Sequence, residues 1–253
     1  MSGHVDPYLD WKDWRDAQFG GFDAELARYY EAEIAVAAGP GVRVLEIGYG
    51  NGSFVGWCRS MGVEVLGVEL SAALVARCET LLGAGKAFLG VGDERLSAAA
   101  ATFTHIVALD VIEHVPQSEI PEFLARLKSL LAPAGRITLR FPNGDSPFGR
   151  IYQHADPTHV TTLGRAKLEY FAAQAGLSLA EIRAPRLPAR GLGLSRAVSR
   201  VLLGAIRSCF ERLIGMLYFG GRRIPLSPNY VAVLTHRAAG PSRPPGHPAA
   251  SSN

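Results

Sequence analysis

The chain has 253 residues, 48% hydrophobic and 19% charged, with a formal net charge of +3, which suits one α/β domain with a small addition. Its three cysteines, Cys58, Cys78 and Cys209, are scattered and odd in number, against a disulfide framework or a zinc site. No apolar run approaches the ~20 residues of a spanning helix. The opening Met1–Pro7 is too polar for a signal peptide, so a cytoplasmic location is expected.

Residues 1–40 carry Trp11, Trp14, Phe19, Phe22, Tyr29 and Tyr30, an aromatic density that fits a helical lid over a ligand site. The alternative is that these rings pack a leading helix onto a sheet. An apolar run (Val42, Val44, Leu45, Ile47) then contains Glu46 and ends in the turn Gly48-Tyr49-Gly50-Asn51-Gly52, with a helical pattern from Ser53. A buried strand, a glycine turn and a helix N-terminus bring a nucleotide-like ligand against bare backbone. A dinucleotide turn prefers Gly-x-Gly-x-x-Gly, but position 53 is Ser53 and the spacing here is Gly-x-Gly-x-Gly.

A second strand, Val63–Leu70, places Glu69 near its tip, where an acid can accept both hydroxyls of a ribose. A third strand over Phe88–Val91 closes on Gly92-Asp93. A fourth, His105–Leu109, runs into Asp110-Val111-Ile112-Glu113-His114, and a fifth spans 130–143. Between them, Ser118 is expected to cap a helix bearing Ile120, Phe123, Leu124, Leu127, Leu130 and Leu131. Thr162 is expected to cap another bearing Leu168, Phe171, Ala172 and Ala175, stopped by Gly176. Strands recur at 177–184 and 229–236, and the alternation predicts a doubly wound, mostly parallel sheet. The tail 238–253, rich in Pro, Ser and Gly, reads as disordered, leaving 1–237 as a single domain.

Histidines supply acid–base candidates. His114 follows strand four at the carboxyl edge, where open α/β sheets keep their sites. The loop Tyr152-Gln153-His154-Ala155-Asp156-Pro157-Thr158-His159-Val160 brackets Asp156 with His154 and His159. That trio could be an acid–base pair with its orienting carboxylate, a divalent-metal site, or a structural turn. The oxygen-rich cluster expected for magnesium is missing from the loop.

An insertion at 185–228 precedes the last strand. Residues 181–223 hold nine arginines and two glutamates, a local charge of +7 in a chain of +3 overall. From Leu194 to Phe219 the pattern is helical: Arg196, Arg200, Arg207 and Glu211 share one side, and Leu194, Val198, Val201, Leu202, Ala205, Cys209, Leu213 and Met216 the other. Arg212 breaks the pattern, so a bend or end is expected there. Such a helix can lie in a membrane interface, or pack its apolar face on the domain and show its arginines to water or to a second copy in a homodimer.

Together, the glycine turn, Glu69, Gly92-Asp93, Asp110-Val111-Ile112-Glu113-His114 and Leu130-Leu131-Ala132-Pro133-Ala134-Gly135 resemble the class I S-adenosylmethionine-dependent methyltransferases over about residues 40–183 and 229–237. Tyr49 and Ala134 depart from that pattern in minor ways. The resemblance implies a Rossmann-like seven-stranded sheet with an antiparallel last strand, and S-adenosylmethionine as cofactor. It further implies that Glu46 and Gly48, Tyr49, Gly50, Asn51 and Gly52 hold the methionine part. Glu69 and Leu70 would meet the ribose and adenine, Gly92 and Asp93 the adenine amino group, and Asp110 and Val111 the sulfonium end. A looser similarity to methyltransferases of bacterial surface glycans implies a sugar hydroxyl as acceptor, in places lipid-linked. A quinone, lipid or other small-molecule hydroxyl or carboxyl is the alternative, and a nonenzymatic cofactor-binding subunit a further one. The Asn/Asp-Pro-Pro-aromatic signature of amino-group methylators is absent at Pro142-Asn143-Gly144, and no nucleic-acid partner is expected.

Overall fold

A computed structural model describes residues 11, 12, 14, 18–188 and 193–237 of the chain. The strands are β1 (Arg43–Ile47), β2 (Glu64–Glu69), β3 (Ala87–Leu89), β4 (Phe103–Leu109), β5 (Leu131–Pro142), β6 (Leu177–Arg183) and β7 (Asn229–His236). They form one sheet in the order β3-β2-β1-β4-β5-β7-β6, with β1 to β5 parallel and β7 antiparallel to both its neighbours. This is the doubly wound sheet expected from the alternating pattern. Its order reverses between β1 and β4, where such sheets open a crevice at their carboxyl edge.

Both faces are buried, so the strands read as nearly continuous apolar runs. Val44, Val65 and Val107 turn to one face, against α1 (Ala24–Ile34), α2 (Ser53–Ser60) and α3 (Ala72–Leu82). Leu45, Leu66 and Ile106 lie side by side on the other, against α4 (Ile120–Leu130) and α6 (Arg165–Gln174). Leu124 and Leu127 of α4 are fully buried there, each a contribution of about 1.5–3 kcal/mol. Helix α5 (Gly149–Ala155) follows β5, and α7 (Leu194–Tyr218) fills most of the insertion before β7. No helix among the described residues is long and apolar enough to cross a membrane.

Several local expectations need correction. Strand β3 ends at Leu89; Gly90 then turns with φ 79°, and Asp93 caps a short 3-10 helix, Glu94–Ala99. Helix α4 begins after Glu119 without a side-chain cap, so Ser118 does not perform that role. Helix α6 begins after Gly164 rather than Thr162, because Asp145 reaches across to accept the Arg165 N–H at 2.8 Å. A Cβ at Gly164 would collide with that carboxylate, which explains the glycine. Gly176, at φ 71°, stops α6 as expected. Helix α7 runs unbroken through Arg212. The tail 238–253 and Arg190 lie outside the described residues.

Candidate active site

An open cleft of about 1540 Å³ sits at the carboxyl edge, over the turn between β1 and α2. Gly48, Gly50 and Gly52 all take positive φ (67°, 51° and 74°), which only glycine adopts without strain. Each also makes room for a neighbour. A Cβ at Gly48 would lie 2.6 Å from Val111, at Gly50 2.5 Å from the Trp14 ring, and at Gly52 2.5 Å from the Phe19 ring. The N-terminal aromatics therefore rest on the turn itself. Tyr49 turns away into the core, over Gly67 and edge-on to Phe19. Tyr30 holds the start of α2 through Ser53 Oγ at 2.8 Å, and Asn51 Oδ1 accepts the Ser53 N–H at 3.2 Å.

Four acids were expected around this cleft, and three reach it. Glu46 is buried with Oε2 lacking a partner; burial first, and the Glu69 charge second, push its carboxyl well above the usual range. Glu69 closes β2 and accepts the Gly50 N–H at 3.1 Å and the Leu70 N–H at 2.7 Å, tying the strand tip to the turn. Beside it Leu70 is 83% exposed, near Gly90 and Gly92 on the cleft wall. Asp110, at φ 58°, is clamped by Arg140 from the neighbouring strand, whose Nη1 also donates to the Tyr29 hydroxyl at 3.1 Å. Asp93 is the exception. Its carboxylate is held on both oxygens by Arg95 and pulled down to about 2 by that hydrogen-bonded pairing, and it does not line the cleft.

At the other end of the cleft stand His114, Asp156 and His159. The Nδ1 of His114 lies 3.2 Å from the Thr158 carbonyl, an acceptor only, so Nδ1 carries the proton and Nε2 the lone pair. The Thr158 hydroxyl is 2.9 Å from the same Nδ1 and donates to Asp156 Oδ1 at 2.5 Å. Asp156 thus orients His114 through Thr158, a residue the sequence did not single out. Burial would raise the Asp156 carboxyl, but hydrogen bonds from Thr158 and Lys12 bring it down to about 2. His159 likewise donates Nδ1 to a carbonyl, that of Tyr152 at 3.1 Å, and its Nε2 stands 3.8 Å from Asp156, beyond direct hydrogen bonding. Burial, then the nearby His159, holds His114 below its ordinary pKa.

His154 is not brought to this cluster. It lines a separate cavity of about 250 Å³ with Asn143, Arg150 and Gln153. Among the described residues, the group whose atoms approach closely enough to share an ion is instead Glu113, His114 and His159, within 4.8 Å of one another. Glu113 is buried with both carboxylate oxygens unpartnered, and burial pushes its pKa well up. Two further lining residues were missed, Arg126 and Arg140. Both act through tertiary contacts, Arg126 on the Val91 carbonyl at 3.0 Å and Arg140 on Asp110.

Residues 22–182, well over half the chain, match a family profile described as a methyltransferase domain. The chain belongs to the class I S-adenosylmethionine-dependent methyltransferases. Its curated relatives include two ubiquinone biosynthesis O-methyltransferases of Rhodopseudomonas palustris, 30% identical over 118 residues (strain BisB5) and 27% over 117 (strain TIE-1). Each match covers 45% of this chain and 45% of the relative, so the chain spans about half the length of the curated relatives it matches. Among solved structures, a SAM-dependent methyltransferase from Archaeoglobus fulgidus superposes with a TM-score of 0.59 at 19% identity, covering 90% of this chain and 99% of that one. The CcbJ methyltransferase from Streptomyces caelestis does so with a TM-score of 0.55 at 18% identity, covering 90% and 96%. At these identities the likeness is one of fold.

The cofactor of this methyltransferase domain is S-adenosylmethionine. The cleft fits it on its own chemistry. A buried carboxyl oxygen without a partner at Glu46 suits a cationic group, Gly48 and Gly50 bring the turn's backbone to the cleft wall, and Leu70 offers an apolar platform beside the Glu69 carboxylate.

Proposed function

We propose that the chain is an O-methyltransferase acting on the hydroxyl of a small molecule, with His114 as general base. When bound, S-adenosylmethionine supplies an activated methyl group on a sulfonium. Glu46 and Gly48–Gly52 hold its amino-acid end, Glu69 and Leu70 its ribose and adenine, with Gly92 at the adenine edge. Asp110 and Val111 border the transfer point, Asp110 being fixed there by Arg140. His154 and Asp93, which lie away from the cleft, have no part in this assignment.

The chain's own chemical task is then alignment, exclusion of water and removal of one proton. The carrying observation is the Asp156–Thr158–His114 chain, which fixes the tautomer that leaves His114 Nε2 free to accept a proton. The aromatic segment of Trp11, Trp14 and Phe19 serves as the lid, an assignment supported by its seat on Gly50 and Gly52. Two acceptor classes stand open, a sugar hydroxyl of glycan biosynthesis and a quinone-type or other small-molecule hydroxyl. Similarity to the ubiquinone biosynthesis enzymes supports the second.

A second reading has one observation in its favour: Glu113, His114 and His159 could together hold a divalent ion. Glu113 would have to ionise for this, against the burial that favours its neutral form. Methyl transfer to a phenolic and to a sugar acceptor, each with and without a chelator, separates the acceptor classes and the two roles of the histidines.

A further inference from the structure

We infer that α7 docks the protein on an anionic membrane surface. The helix packs on the domain through its small and polar side. Gly215 lies so close to the Arg222 carbonyl that a Cβ would come within 2.5 Å of it, and Glu211 is buried, held by Arg223 at 2.9 Å and by the Leu226 N–H at 3.0 Å. Arg200, on the same side, pairs with Glu25 of α1. The apolar side consequently faces outward. Val198, Leu202, Ile206, Leu213 and Met216 are 56%, 59%, 57%, 47% and 67% exposed. This reverses the packing alternative, in which the apolar face covers the domain.

What covers that face is decided by its border. On a helical projection, exposed Arg196 and Arg207 flank it on one side and exposed Arg212 on the other. The sole acid of residues 194–219 is Glu211, which is buried and paired. A second copy set face to face would therefore bring arginine borders together with no exposed acid on either helix to pair them. The tail 238–253 offers no side chain more apolar than Ala or Pro to lie on it. Anionic headgroups match both borders while acyl chains take the apolar face, and a helix of 25 residues extends roughly 37 Å along such a surface. No described helix can cross a bilayer, so α7 lies on it.

The docking helix is tied to the edge that bears the cleft. The segment that Glu211 holds accepts hydrogen bonds from Asn143 Nδ2 at Pro225 and Ser227, next to cleft-lining Pro142. Delivery of a lipophilic acceptor from the membrane into the cleft rests on the acceptor proposed above; docking itself does not.

Co-sedimentation with vesicles of phosphatidylcholine, alone and mixed with phosphatidylglycerol, tests docking without any activity readout. The intact chain should sediment with the mixed vesicles and much less with the neutral ones, and high salt should release it. Replacing Arg196, Arg207 and Arg212 together by Gln should lower partition into mixed vesicles on the order of 100-fold. Leu202→Glu with Ile206→Glu, both at exposed positions, should abolish binding to either kind while leaving the thermal midpoint unchanged. Absence of binding by the intact chain, or unaltered binding by both variants, overturns the proposal. So does a dimer in sedimentation velocity that the Leu202/Ile206 variant dissociates without any effect of vesicles.

Discussion

His114 and His159 meet edge-on with ring centroids 4.6 Å apart, one from the short 3-10 helix Ile112–His114 after β4 and the other from the loop after α5. Both commit Nδ1 to a backbone carbonyl and keep Nε2 for other chemistry, but only His114 is linked through Thr158 to an ionised carboxylate. That asymmetry favours His114 over His159 for the proposed role of base. His114→Ala should lower kcat by roughly 10²–10⁴-fold with cofactor affinity unchanged. His159→Ala should cost less, and Thr158→Val, which removes the link, should fall between. Steady-state kinetics alongside cofactor titration separate these effects. Equal losses for His114→Ala and His159→Ala would argue that the two rings act together.

The pH profile follows from the same geometry. Burial and the adjacent His159 hold His114 below its ordinary value of about 6.5. A base with a depressed pKa remains unprotonated, and competent, to lower pH. The acid limb of kcat/KM should therefore have its midpoint below about 6.5 and vanish in His114→Gln. A midpoint above that value would assign the limb to another group.

Much of this site is visible in the chain itself, for a definite reason. The glycine turn, the acids at strand ends and the 3.6-residue periodicity of α4 are local patterns, and local backbone demands dictate them. Asp93 stands apart because a strand-end acid looks the same in sequence whether it lines the cleft or is held by Arg95 two residues on. Thr158 and Arg140 escape notice because their roles depend on partners 44 and 30 residues away. The start of α6 is misplaced for the same cause, since its cap comes from Asp145. For α7 the sequence shows two faces but not which one meets the domain. The inward choice is made by Glu211, Gly215 and the segment after Arg222.

Glu69 ties β2 to the glycine turn and is proposed to hold the ribose, two roles that a single substitution should expose. Glu69→Ala removes the carboxylate proposed for the ribose, with an expected loss of roughly 1.5–3 kcal/mol in cofactor binding. It also frees the Gly50 and Leu70 amides that this carboxylate now accepts. Glu69→Gln keeps an acceptor for one of them and should bind with intermediate affinity in titration calorimetry. Asp93→Asn should leave cofactor affinity nearly unaltered, since that side chain is spent on Arg95. A large loss in Asp93→Asn would return it to the cofactor site.

Trp14 and Gly50 offer a test of the lid. Gly50→Ala places a methyl about where the indole now lies, at a residue with φ 51°, and should displace Trp14 as well as strain the turn. Trp14→Ala leaves the turn intact, so it should speed cofactor release while changing thermal stability little. Stopped-flow dissociation measures this. An unchanged release rate would make the indole a packing residue of the N-terminal segment.

The proposed reaction is methyl transfer to a hydroxyl in a cofactor-loaded cleft, with His114 taking the proton. A single-turnover assay with methyl-labelled S-adenosylmethionine, using a phenolic quinol analogue and a sugar in parallel, measures it most directly. The intact protein should place label on the oxygen of the phenolic acceptor, and His114→Ala, still binding cofactor, should do so at least about 100-fold more slowly. Transfer that proceeds equally well in His114→Ala would rule out His114 as the base, and bound cofactor with no label on any hydroxyl acceptor would rule out O-methylation.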